Sequence, residues 1–119
     1  MAYDCSGTWD SCLNSTGSSC LQSDPGYEGK MVIRTPDPLT GAFTGRFYPR
    51  GGGPSEVIYG QCSDQKPHMQ IWRGLHYYHG DKSGNKNVKG KRRKVKVVAK
   101  GRRIKPLRDD EDWVGTKTT

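Results

Sequence analysis

The sequence predicts an all-β fold, an antiparallel up-and-down barrel of seven or eight strands, on three observations. Sixteen glycines and seven prolines interrupt the 119 residues too often for long helices. Between these breaks stand short stretches rich in β-branched and aromatic residues, recurring about every 8–12 residues as in barrels and sandwiches. The clearest alternation of apolar with charged residues, over 91–104, has the two-residue period of a strand. A hydrophobic fraction of 31% and a mean hydropathy of −0.90 leave a thin core, which fits one domain spanning 1–119. No run of a dozen apolar residues occurs, so neither a membrane-spanning helix nor the apolar stretch of a signal peptide is expected.

Ser6, Gly7, Thr8 and Trp9 read as a short first strand running into a Ser/Gly-rich loop over 14–25. Residues 27–34 hold Met31, Val32 and Ile33 and form the second strand, which ends in the turn chemistry of Asp37-Pro38-Leu39-Thr40-Gly41. Residues 42–48 alternate Phe43, Gly45 and Phe47 against Thr44, Arg46 and Tyr48, as a strand pairing back on its predecessor should. Gly51-Gly52-Gly53-Pro54 is a loop and 56–62 a short strand. Over 68–78, Gly74 implies either a bulge or two shorter strands. Residues 81–87 form a turn-rich tip. Residues 91–104 follow as one strand with Val95, Val97 and Ala99 inward, and 113–118 as the last.

The net charge of +8 belongs to one element, since 11 of the 20 basic residues and no acid lie in 89–108. The remainder carries nine basic against twelve acidic residues, a net of −3. A near-neutral body with one basic strand points to a polyanionic partner. The four cysteines, Cys5, Cys12, Cys20 and Cys62, allow three disulfide pairings, with free thiols as the competing reading. No Cys or Cys/His spacing matches a zinc site, and no cofactor is expected. The sequon Asn14-Ser15-Thr16 and the even cysteine count favour secretion, with nuclear and cytoplasmic locations left open.

Three segments occur in the order and at approximately the spacing seen in the calycin superfamily, and resemble avidins more than lipocalins. They are Gly7-Thr8-Trp9, the turn Gly41-Ala42-Phe43-Thr44-Gly45, and the C-terminal Asp110-Glu111-Asp112-Trp113-Val114-Gly115-Thr116-Lys117. The resemblance implies a barrel plugged at one end by Trp9, with a small-ligand pocket inside. Avidins hold the ureido oxygen of biotin with an Asn two residues after the first-strand Trp, a Ser six after it, and a Tyr on the third strand. The matching positions are Ser11, Ser15 and Phe47, so the amide and the phenol are lost. Trp72 and Trp113 match two aromatic walls, while Lys96-Val97-Val98 replaces the seventh-strand tryptophan. The closing eighth strand is expected to be missing, the chain ending at Thr119. Unpaired buried partners remove orders of magnitude from such affinity, so biotin is not the expected ligand.

Two site readings follow. In the first, a non-enzymatic small-ligand binder, the pocket is lined by Trp9, Phe47, Trp72 and Trp113 with Ser11 and Ser15. His76 and Tyr78 join Trp72 on one face, because residues two apart on a strand share a side; Leu75, Tyr77 and His79 take the other. In the second, Lys91, Arg92, Arg93, Lys94, Lys96 and Lys100, with Arg102 and Arg103, bind nucleic acid or a sulfated glycan. Arg92, Lys94, Lys96 and Lys100 then form an outward comb of charges about 6.6–6.8 Å apart, with exposed aromatics on neighbouring strands adding base stacking. The same lysines also suit an edge that resists aggregation, and 91–96 a nuclear-import cluster. No catalytic motif is present. A third reading is a small basic RNase-like enzyme using a His, a Glu and a basic cleft. No membrane partner is expected, and oligomerisation is left open.

Overall fold

The computed structural model describes residues 3–14, 17–97, 104–106 and 111–118. Among the described residues nine strands follow in chain order: β1 (Gly7–Leu13), β2 (Tyr27–Ile33), β3 (Ala42–Pro49), β4 (Glu56–Cys62), β5 (Met69–Arg73), β6 (His76–Lys82), β7 (Asn87–Val97), β8 (Ile104–Pro106) and β9 (Glu111–Lys117). Strands β1 to β7 pair antiparallel in sequence order. β9 then lies between β7 and β1 and closes an eight-stranded barrel. Closure removes the exposed sheet edges that would otherwise recruit other chains.

The expected strands 27–34, 42–48 and 56–62 coincide with β2, β3 and β4. The segment 68–78 is two strands joined at Gly74 and Leu75, with Gly74 at φ 57°, a left-handed turn position that favours glycine. This extra strand supplies the eighth stave, so the closing strand expected to be missing is present as β9. The segment 91–104 is not one strand. β7 begins earlier, at Asn87, and β8 pairs back on its end through Val95↔Pro106 and Val97↔Ile104. Ala99 lies outside the described residues.

Alternation sends Met31, Ile33, Phe43, Phe47, Ile58, Met69, Ile71 and Tyr78 into one buried cluster with Trp9, Val88 and Trp113. One end of the barrel is stapled by the Cys5–Cys62 disulfide, both residues fully buried, and Trp9 Nε1 donates to the Cys5 carbonyl at 2.9 Å. On the outside of β1, the second disulfide, Cys12–Cys20, folds the following loop over Val114 and Tyr27. The opposite end, where β5 meets β6, is the mouth.

Candidate functional site

A β-bulge builds the mouth. Ser11 pairs with Gly29, but the next residue, Cys12, pairs with Tyr27, so Glu28 is an extra residue on β2. Gly29 takes φ 147°, and a Cβ there would stand 2.2 Å from the Tyr48 carbonyl oxygen, so only glycine permits this irregularity. The bulge resets the alternation and carries the Glu28 carboxylate into the lumen, with Tyr27 left outside. There Glu28 Oε1 accepts from Ser11 Oγ and from the Tyr78 hydroxyl, each at 3.0 Å. Its Oε2 faces Arg92 Nη1 at 3.1 Å and Arg73 Nη1 at 3.5 Å. Arg92 also donates to Glu111, and Trp113 Nε1 donates to Ser11 Oγ at 2.9 Å. Arg73 lies over the Phe47 ring, 4.2 Å from its centroid, a cation–π contact.

These groups are taken out of water, with the side chains of Arg92 and Glu28 8% and 11% exposed. Burial, followed by the Glu28 carboxylate, pushes the Tyr78 phenol well above its ordinary range. Three nitrogens at this end have no hydrogen-bond partner among the described residues: Arg73 Nε, Arg92 Nε and His76 Nδ1. The Glu56 carboxylate approaches Arg73 Nε to 3.8 Å.

His76 stands at the rim, directly opposite Arg73 on β5 and Lys94 on β7. Burial, then the charges of Arg73, Arg92 and Lys94, push its imidazole down to about 4 against the opposing pull of Glu111. An unfolded imidazole titrates near 6.5, so between these values the unfolded chain binds a proton that the folded chain does not. Stability is therefore full above a pH of about 6.5 and declines as pH falls toward about 4. His76→Gln is expected to remove most of that slope, as read from urea midpoints at pH values of about 7, 5.5 and 4.5. A slope unaltered by the substitution would assign it to other groups.

Of the expected pocket residues, Trp9, Ser11, Phe47, Tyr78 and Trp113 point inward and are buried, and His76 reaches the rim. Trp72 does not join them. The turn at Gly74 and Leu75 makes Trp72 the cross-strand partner of Tyr77 and Arg73 that of His76. Directly opposed residues share a face, so Trp72 lies outside with Tyr77. Ser15 lies outside the described residues.

The basic comb is corrected in phase. Val88 is buried inside, and alternation carries the same face through Gly90 to Arg92, 7% exposed in the ion network, and to Lys94 at the rim. Reading the phase from Val95 misplaced both, because Val95 is buried beyond the barrel, where β8 pairs with β7. The outward bases of β7 within the barrel are Lys89, Lys91 and Arg93. Lys96 pairs with Lys105 in the extension, while Lys100, Arg102 and Arg103 lie outside the described residues. Sequence reasoning missed Glu28, Arg73 and Glu111. The Glu-Gly pair inside an apolar strand was the available signal for the bulge.

The outer face beside the mouth forms a second arrangement. Tyr59, Trp72, Tyr77 and Arg93 are consecutive cross-strand partners on β4, β5, β6 and β7, one row across four strands. The next row runs Gln61, Gln70, His79, Lys91 and Asp112. Trp72 and Tyr77 lie 4.6 Å apart between ring centroids, and Tyr77 stacks on His79 at 5.4 Å. Tyr59 is 54% exposed. Lys91 Nζ meets Asp112 at 2.6 Å and holds that carboxyl below its usual range.

Among the described residues, surface cavities of about 690, 370 and 280 Å³ lie along the loop after β1, beside Tyr48 and Arg50, and beside Thr40 and Gln61, none of them within the lumen. No group of three or more His, Cys, Asp or Glu able to hold a metal occurs among the described residues. The chain matches no protein-family model, no curated protein and no solved structure.

Proposed function

We propose that this chain is a non-enzymatic binding module for single-stranded nucleic acid, with the outer face of β4 to β7 as its contact surface. The observation that carries the reading is the row of Tyr59, Trp72 and Tyr77 ending on Arg93, with His79 and Lys91 alongside. Adjacent strands place successive rings about 4.8 Å apart, so bases can stack on neighbouring platforms while Lys89, Lys91 and Arg93 meet phosphates. The aromatic row is what favours a nucleic acid over a sulfated glycan.

The likeness to avidins enters this proposal as barrel architecture alone. A small organic ligand deep in the lumen would compete for space with Trp9, Phe47, Tyr78 and Trp113, all buried, which is why the outer face is preferred. An RNase-like reaction would need Glu28 free to take a proton, whereas its two oxygens face four partners.

The test is titration of oligothymidylate against Trp fluorescence at several salt concentrations. Trp72→Ala is expected to weaken binding by about 5- to 160-fold, the range of one lost base stack. Arg93→Gln should flatten the salt dependence by about 0.7 in the log–log slope, one phosphate contact to a single strand. Affinity unchanged by both substitutions in a folded protein would remove this surface from consideration.

A further inference from the structure

We infer that the barrel mouth is a binding site for a phosphate monoester, received between Arg73, His76, Arg92 and Lys94. This site faces the lumen and is distinct from the aromatic row outside, so it stands without the outer-face reading except in one arm of its test.

Native interiors leave few buried polar atoms unpaired, and each that remains calls for an explanation. Here three fall together at one end of one barrel, on β5, β6 and β7: Arg73 Nε, His76 Nδ1 and Arg92 Nε. They belong to a contiguous patch, since Arg73, His76 and Lys94 are successive cross-strand partners, with Arg92 one inward position below Lys94. Glu28 does not use these atoms. It engages Nη1 of each guanidinium, and Glu111 engages Nη2 of Arg92, so neither Nε–H is hydrogen-bonded, that of Arg73 having only the Glu56 carboxylate 3.8 Å away, while both side chains are held in place. A guanidinium whose outer nitrogens are anchored by carboxylates is preorganised, and its remaining N–H loses little freedom on meeting a ligand.

The cations Arg73, Arg92 and Lys94 gather about His76 at the rim, with the carboxylates of Glu28, Glu56 and Glu111 holding the two guanidiniums from other sides. Glu28 lies deeper, with Ser11 and Tyr78 on its far oxygen. Nitrogens contributed by three adjacent strands at one end of the barrel suit a tetrahedral oxyanion, which accepts from several directions, better than a planar carboxylate met edge-on by a single Arg fork. The ligand chemistry is thus a terminal phosphate, from either a free phosphate ester or the end of a nucleic-acid strand. The second source has a route: Trp72 and Tyr77 on the outer face are the chain neighbours of Arg73 and His76 on the inner face. A strand stacked on the outer row could turn its end over the rim.

The test uses the full chain and inorganic phosphate as the probe, followed by NMR of the His76 ring and the Arg Nε–H signals. Saturable shifts at His76, Arg73 and Arg92 are expected, with the His76 titration moving to higher pH as phosphate binds. Lys94→Gln, at the half-buried rim, should weaken binding about tenfold, the scale of one charge-assisted contact. Arg73→Gln provides a second variant, with retained dispersion of the Trp113 signals reporting the fold. In folded wild-type protein, shifts that do not saturate, or that match those of a distant surface lysine such as Lys86, would overturn the site. A 5′-phosphorylated oligothymidylate is then compared with its 5′-hydroxyl counterpart. Preference for the phosphorylated strand, lost in Lys94→Gln, assigns the ligand to a strand end; equal affinity with phosphate binding intact assigns it to a free ester. If oligonucleotides fail to bind while phosphate still does, the outer-face reading falls and the mouth stands.

Discussion

Replacing Glu28 by Gln is expected to lower the folding free energy by about 3–5 kcal/mol, because breaking a buried ion network leaves an uncompensated charge behind. Glu28 is the shared counter-charge of Arg73 and Arg92, and all three side chains are 12% exposed or less. The amide can still accept from Ser11 and Tyr78, so the loss isolates charge from shape. A domain's total stability is typically about 5–15 kcal/mol, so the variant is expected to sit close to its unfolding transition. The double variant Glu28→Gln with Arg73→Met should recover part of the loss, since Arg92 keeps its pair with Glu111 whereas Arg73 would lose its nearest carboxylate; a double-mutant cycle measures that coupling. Asp112→Asn is the control. It breaks the Lys91 pair at the surface, where the partners are 47% and 65% exposed, and such solvent-screened pairs contribute little to stability. Equal effects from Glu28→Gln and Asp112→Asn in urea titrations would show that the mouth network is effectively solvated.

The Cys5–Cys62 bridge carries the second large effect. Its residues are 57 positions apart, against 8 for Cys12–Cys20. In the chain-entropy account, closing these loops in the unfolded state stabilises by about 4 and about 2.5 kcal/mol respectively. The longer bridge also fills the closed end of the core, with Cys5 0% and Cys62 1% exposed, so Cys5→Ala with Cys62→Ala forfeits packing besides. The expected result is a fall in thermal midpoint clearly larger for this pair than for Cys12→Ala with Cys20→Ala. The reverse order would mean that the loop covering Val114 and Tyr27 stabilises the barrel more than the staple at its end.

Much of the barrel was legible because its signals are local. β2, β3 and β4 are bounded by Pro, Gly and Asp turn chemistry, and the alternation of Phe43, Gly45 and Phe47 is continuous, so both place and face followed. Five inward residues, Trp9, Ser11, Phe47, Tyr78 and Trp113, were identified from the residues and the likeness to avidins together. The site was less legible. Glu28 and Arg73 belong to no motif and Arg92 falls in the expected outward comb, yet these three form the charged centre of the mouth.

Those misplacements share one physical cause. Strand alternation has a period of two, so a single inserted or removed residue reverses every face that follows. Gly74 and Leu75 end β5 and begin β6 in opposite phase, which sends Trp72 out and Arg73 in. The bulge at Glu28 inserts one residue and turns a carboxylate inward. On β7 the buried valines Val88 and Val95 lie on opposite phases, and only pairing with β6 and β9 tells which one marks the lumen. Composition, turn chemistry and periodicity, all properties of neighbouring residues, therefore determined that this chain is a small antiparallel barrel with one basic strand. The tertiary structure alone decided which face each charge occupies, because that depends on register between strands distant in sequence.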